Sequence, residues 1–345
     1  MNDRRYVEER ITLKYGAGGS AMRALIEQIF APGFGEVAGG IGLSAMDDGA
    51  ALPIGPGRWL VITTDAHVVQ PAVFPGGDIG RLAVCGTVND LAMMGATEPL
   101  ALTCAAILED GFPRSELEQI WASIRAACEE AGTTIVTGDT KVMRRGELDR
   151  IALTTTGVAL TSRVVTDRGL GAGDRIIVTG TMGDHGLAIL ATRGELALET
   201  RLVSDVAPLN GLVRRALAAG GDGVVAMKDP TRGGLASALH EMAGKSGVGV
   251  ILDERAVPVR DEVRAAGELL GIDPLLVANE GKAVIGVRAA AADRVLDALR
   301  SHPLGRQAAV VGECVAERPG SVIADTGFGR RLLGEAEGEL LPRIC

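Results

Sequence analysis

Acidic residues stand at the ends of apolar runs through the first half of this chain: Asp47 and Asp48, Asp65, Asp78 after a glycine pair, Asn89 and Asp90, and Gly138-Asp139-Thr140-Lys141. An acid just past a β-branched strand emerges at a sheet edge, where loops build sites. Carboxylates converging there would suit Mg²⁺, a hard cation that takes oxygen ligands and bridges to phosphates. Each acid taken singly reads equally well as a turn former or helix cap. Their recurrence is what points to a metal–nucleotide site. The second half adds Asp229-Pro230-Thr231-Arg232-Gly233-Gly234 ahead of a helix and Asn279-Glu280-Gly281-Lys282 between two strands. The former sets an acid, a hydroxyl and a cation at a helix N-terminus, where phosphate binds, or it is an ordinary capping turn. Glu280 is a turn residue or a carboxylate set as a general base. Gly183-Asp184-His185-Gly186 offers a lone histidine, more often structural than catalytic.

Glycine patterns narrow the nucleotide chemistry. No G-x-x-x-x-G-K-[ST] occurs, and no G-x-G-x-x-G follows a strand. Gly16-Ala17-Gly18-Gly19-Ser20, entering a helical stretch, can present backbone N–H groups to phosphate, though a simple cap explains it as well. Nucleotide handling would therefore rest on acids, Mg²⁺ and glycine turns. Five cysteines (85, 104, 128, 314 and 345) include no C-x-x-C pair, which reads as a reducing compartment. Cys345 ends the sequence on an aperiodic run, GEAEGELLPRIC. It is either a neutral last residue or a carrier thiol on an arm that reaches about 40 Å at ~3.3 Å per residue.

These residues need a scaffold. A length of 345 residues suits two domains. Alternating apolar strands and helical segments indicate an α/β or α+β architecture. Strands are expected at 59–65, 100–108, 133–139, 151–160, 175–180, 248–252, 282–287 and 307–315. Helices are expected at 81–95, 115–131 with Ser115 as cap, 184–194, 209–219, 233–245, 261–270 and 291–300. The polar, Gly-rich stretch 161–174 marks a boundary, giving domains over 1–160 and 175–333 with a flexible tail over 334–345. Thirty-five Lys and Arg against 44 Asp and Glu leave a charge of −9, which argues against a nucleic-acid binder. The N-terminal segment has no apolar core, and Glu98-Pro99 interrupts the most apolar window. A cytoplasmic protein off the membrane is expected.

The stretches FPGGDIGRLAVCGTVNDLAMMGA (74–96), IVTGDTKV (135–142), DPTRGG (229–234), DPLLVANEGK (273–282) and LPRIC (341–345) closely resemble the HypE family of [NiFe]-hydrogenase maturation carbamoyl dehydratases. The resemblance spans nearly the whole chain. It implies a two-domain fold like that of aminoimidazole ribonucleotide synthetase, a homodimer, and ATP with Mg²⁺ as cofactors. The implied reaction is ATP-dependent dehydration of the carbamoylated C-terminal thiol to a thiocyanate, the source of a cyanide ligand for the hydrogenase iron. The implied partners are the carbamoyltransferase HypF and a HypC–HypD iron-scaffold complex. By position, Cys345 would carry the substrate, with Lys141 and Glu280 catalytic. Asp48, Asp65, Asp90 and Asp229 would hold metal, and Gly18, Gly19, Asp47, Asn89, Asp139 and Thr231 would contact nucleotide. Where relatives read H-G-S-G-G, this chain reads Tyr15-Gly16-Ala17-Gly18-Gly19: the glycines stay, and the His and Ser side chains are gone. Another kinase or synthetase of the superfamily would share the acids without needing Cys345. A non-catalytic scaffold would only present the tail.

Overall fold

The computed structural model describes residues 7–16, 18–193 and 201–335. Cys345 and the rest of the expected arm beyond 335 lie outside the described residues.

The first sheet has five strands in the order β1-β2-β7-β5-β6. These are β1 (Ala50–Gly55), β2 (Arg58–His67), β5 (Pro99–Glu109), β6 (Ile135–Met143) and β7 (Ile151–Thr161). Neighbours are antiparallel except β5 and β6, which run parallel. Burial alternates along β7, with Ile151, Leu153, Thr155, Gly157 and Ala159 turned inward, as a sheet with one covered face requires. Two helices cover that face: α2 (Ile79–Met93) and α3 (Arg114–Ala131). A short hairpin, β3 (Val73–Phe74) and β4 (Gly77–Asp78), leads into α2, and the Asp78 carboxylate caps it by accepting from the Arg81 N–H at 2.9 Å. Helix α3 buries Ile120, Ile124, Ala127, Cys128 and Ala131, one face of a 3.6-residue period. It stops at Gly132, whose φ of +71° is a left-handed cap. A short helix α1 (Gly19–Leu25) precedes this domain.

The second sheet has seven strands in the order β14-β13-β10-β12-β8-β11-β9. They are β8 (Arg175–Val178), β9 (Val224–Lys228), β10 (Gly249–Asp253), β11 (Val284–Val287), β12 (Ala309–Val315), β13 (Val322–Asp325) and β14 (Arg330–Leu332). Five helices accompany them: α4 (Asp184–Thr192), α5 (Asn210–Gly220), α6 (Gly234–Ser246), α7 (Asp261–Leu270) and α8 (Ala292–Arg300). Helix α2 is buried almost all round because it packs on both units: Ala92 and Met93 join a core built from α5, α8, β9 and β11.

The expected elements are present with ends shifted by a few residues. Ser115 does not cap α3; it lies inside the first turn, and Pro113 holds the cap without a side-chain bond. Strands β1, β9, β13 and β14 were not anticipated. β1 contains Pro53, tolerated because this is an edge strand, and β14 is Arg-Arg-Leu on the opposite sheet's edge. Residues 161–174 run between the sheets but are no loose linker, since Val165 and Asp167 are buried. Among the described residues no helix is long and apolar enough to cross a membrane.

Candidate active site

The two units meet over a cavity of about 730 Å³, within the size range of small-molecule sites. Gly18, Gly19, Asp47, Asp48, Asp65, Asp90, Asp229, Thr231 and Glu280 all line it. Strand alternation explains the first contributions. Thr63, Asp65 and His67 share one face of β2, turned toward α2. Thr63 Oγ1 lies within hydrogen-bond distance of Asp90 Oδ2 at 2.8 Å and of the Asp48 carbonyl at 2.9 Å, which ties β2 to the helix and to the loop before β1. His67 Nε2 sits 3.1 Å from Asp65 Oδ2. Gly86 makes room for this pair: a Cβ there would stand 2.9 Å from His67 Nε2 and 3.0 Å from Asp65 Oδ2.

The second unit supplies the opposite wall. Asp229, Thr231 and Arg232 follow β9 and precede α6, whose N-cap Gly233 adopts φ +67°. Gly18, at φ +81°, lies against this turn, and its Cβ would fall 2.8 Å from Arg232 Cβ. Glu280 is pinned through its backbone: its N–H donates to Asp205 Oδ1 at 3.0 Å, and its carbonyl accepts from Asn89 Nδ2 at 3.2 Å. Lys282 in turn holds Asp205 Oδ2 at 3.0 Å. Gly281 is required at its position, because a Cβ would lie 1.9 Å from the Asp205 carbonyl oxygen.

Crowded carboxylates set the electrostatics. Burial, with the charges of Asp229, Asp65 and Asp48, pushes Asp90 well above the usual carboxylate range. Burial and Asp48 raise Asp229 to about 8, and burial with Asp167 and Asp48 raises Asp47 to about 7. Glu280 is held well above the ordinary range by burial and by Asp229, Asp65 and Asp205. Asp65 is the exception. Burial opposes its charge, yet His67 and Arg232 outweigh it and hold the carboxyl below the usual range. On the cavity wall, Lys228 Nζ bridges Asp48 at 2.7 Å and Glu241 at 3.2 Å, while Lys245 pairs with the fully buried Asp167. Burial works against the Lys228 charge, but Asp48 and Glu241 hold the ammonium well above the lysine range.

Three oxygens in this cluster, Asp48 Oδ2, Asp229 Oδ2 and Glu280 Oε1, are buried without a hydrogen-bond partner. Hard, anionic and unsatisfied oxygens fit a divalent cation. Among the described residues no three Asp, Glu, His or Cys side chains already stand as a metal cluster. Mg²⁺ asks for less, commonly one or two carboxylates beside phosphate and water.

Three expected residues lie elsewhere. Asn89 points into the seam between the units, where Nδ2 also donates to the Ala207 carbonyl and Oδ1 accepts from the Leu209 N–H at 2.7 Å. Its amide is spent within the protein. Lys141 and Asp139 are on β6, paired with each other at 3.1 Å and each 65% exposed, and neither lines the cavity. The motifs did not point to His67, Glu241, Lys228 or Lys245. Only His67 carried a signal, standing two residues after Asp65 and so on the same strand face.

The chain matches two families over most of its length: AIR synthase related protein, N-terminal domain, at residues 46–161, and AIR synthase related protein, C-terminal domain, at 171–325. It is 48% identical over 339 residues to the carbamoyl dehydratase HypE of Cupriavidus necator, covering 97% of this chain and 95% of that one. A solved HypE–HypF complex contains a chain 42% identical to this one, with a TM-score of 0.84, covering 91% of this chain and 100% of that one. A HypE structure in complex with ATP is also 42% identical, with a TM-score of 0.79 and coverage of 97% and 100%. Full-length identity at this level, on the same two domains, is decisive. The chain belongs to the HypE family of hydrogenase maturation carbamoyl dehydratases.

Proposed function

We propose that the chain uses ATP to dehydrate a carbamoyl group carried on its own Cys345, giving a thiocyanate that supplies cyanide to the hydrogenase iron. The observation that carries the nucleotide reading is the seam cavity, where both domains aim carboxylates with unsatisfied oxygens into one space of nucleotide size. The ATP complex of a 42% identical relative supports it. Gly18 and Gly19 would cover the phosphates, Thr231 and Asp47 would lie beside them, and Asp48, Asp65, Asp90 and Asp229 would hold Mg²⁺. Bound there, Mg²⁺ would neutralise charge on the transferring phosphoryl group.

The chemistry balances without a redox partner. The thiocarboxamide oxygen attacks the γ-phosphorus, an O–P bond forms and ADP leaves. Two N–H protons depart in turn, the C–O bond breaks, phosphate leaves and C≡N closes. ATP and the thiocarboxamide become ADP, phosphate and thiocyanate. Glu280 suits the proton-accepting role, since a carboxylate with a raised pKa is a stronger base. Lys141 would polarise the carbamoyl oxygen or the phosphate.

Lys141 and Asp139 need a route to a cavity. A homodimer through β6 would carry them from one copy to the other, and this strand is an open edge with Val136 and Val142 exposed. HypF would load the thiol, as the complex of a relative suggests, and a HypC–HypD scaffold would accept the cyanide.

Mass spectrometry of the C-terminal peptide tests the reaction. Carbamoylated Cys345 should lose the mass of one water only when ATP is present, and Cys345→Ala should yield no thiocyanate. A Cys345→Ala chain that still processes its substrate fully would favour another ATP-dependent enzyme of this superfamily. A chain that never turns ATP over with a carbamoylated tail would leave only a scaffold.

A further inference from the structure

The described chain ends at the cavity rim. Leu333 is buried; its N–H donates to the Val322 carbonyl at 2.9 Å, and its carbonyl accepts from His240 Nε2–H at 2.6 Å. Two residues on, Glu335 Oε1 lies 3.3 Å from Nη2 of Arg23, with the side chains 20% and 35% exposed. Arg23 lines the seam cavity. The segment after β14 is thus fastened first to the core of its own domain and then to an arginine of α1.

We propose that the Arg23–Glu335 ion pair is a positioning clamp that roots the thiol-bearing arm at the mouth of the seam cavity. This rests on the reading of Cys345 as substrate carrier. Cys345 stands ten positions after Glu335. A fully extended chain of that length reaches about 33 Å, and a random coil of the same length averages roughly 15–20 Å. The concentration of the thiol at the reacting phosphate therefore depends on where the segment is held. A partly exposed ion pair is weak. Weakness suits an arm that must also leave to meet a transferase, because a tight anchor would hold the thiol at home.

Alkylation of Cys345 by iodoacetamide, read on the C-terminal peptide, tests the clamp in the full chain. The other four cysteines are buried and give a protected background. With the thiol held at the cavity mouth, Glu335→Ala should raise the alkylation rate roughly 2- to 5-fold, the range an ion pair of this exposure controls. The same variant should slow single-turnover conversion of carbamoylated Cys345 by a similar factor while ATP affinity stays put. A merely destabilised domain would lose ATP affinity as well. The double swap Arg23→Glu with Glu335→Arg should bring alkylation back to the wild-type rate. An unchanged alkylation rate in Glu335→Ala, or a double swap no better than the single variants, overturns the clamp. A wild-type chain that never converts its thiocarboxamide would sink the dehydratase chemistry instead, leaving alkylation to judge the clamp alone.

Discussion

The seam cavity and the β6 edge hold the two halves of the expected chemistry, and only one of them is assembled. In the cavity, carboxylates from both domains converge, and Lys228 and Lys245 on its wall balance part of their charge. On β6, Lys141 and Asp139 face outward and bond mainly to each other, beside exposed Val136 and Val142. A surface pair of this kind contributes little to stability. The difference teaches that the chain completes its anion-and-cation chemistry by its own folding, whereas the lysine is displayed. Under the proposed chemistry, a lysine displayed on an open sheet edge would act on another copy.

The sharpest test separates the two regions by mixing. Lys141→Ala and Glu280→Ala should each lower thiocyanate formation at least about 100-fold, the scale of a lost acid–base or electrostatic group. If β6 serves a second copy, the two inactive chains complement each other when mixed. Half of the dimers at equal mixing are mixed, each with one intact site of two, so about a quarter of the activity should return. Mass spectrometry of the cyano product reads this directly. No recovery, in a mixture shown to exchange subunits, would place Lys141 in its own chain's site or outside the chemistry.

Next in size is Asp229→Asn. It removes a buried acid that folding must either protonate or leave charged among other carboxylates, so the nucleotide-free protein should melt higher at neutral pH. Affinity for Mg²⁺–ATP should nevertheless fall about 10- to 100-fold, because a buried and unsatisfied donor is lost. Calorimetric titration beside a melting curve gives both signs. Unchanged affinity would remove Asp229 from the ligand set, and with it the idea that the cavity is complete without β6.

How much of this was legible in the sequence follows from how each residue reaches its place. Asp48, Asp65, Asp90, Asp229 and Glu280 were visible because they sit with glycines at strand or helix ends, and topology brings such ends together. Asn89 and Asp90 read as one motif, yet neighbours on a helix point about 100° apart. One faces the cavity and the other the seam. Lys228 pairs with Asp48, and Lys245 with Asp167, across more than 70 positions of sequence, and no local spacing encodes that. Strand β9, which places Lys228, is five residues long and ends on that charge, so it lacked the apolar run that marked its neighbours. Exposure on β6 was also illegible. IVTGDTKV reads as any half-buried strand until the sheet order shows that no described residue of this copy covers its outer side.

The smallest expected effect compares the same regions through pH. Asp229, raised to about 8, and Asp47, raised to about 7, bind protons in the folded chain that they would release at about 4 when unfolded. Stability from this source is fully present below about pH 4 and is lost as the pH climbs through 7 and 8. Asp139 on β6 has the opposite sign: its partner Lys141 lowers its pKa, so its contribution fades only under acid and is small for so exposed a group. Between pH 6 and 8.5, then, the cavity should govern the change. Without nucleotide the chain should lose about 4 kcal/mol over that interval, seen as a fall of roughly 4–8 °C in Tm. Mg²⁺–ATP should flatten the slope, because a bound cation favours the charged carboxylates that protons otherwise neutralise. Asp229→Asn should flatten it too, whereas Lys141→Ala should leave it as steep as wild type. A wild-type Tm that rises from pH 6 to 8.5 would mean the cavity carboxylates are already ionised at rest. The proton-holding account of Asp229 and Asp47 would then have to be abandoned.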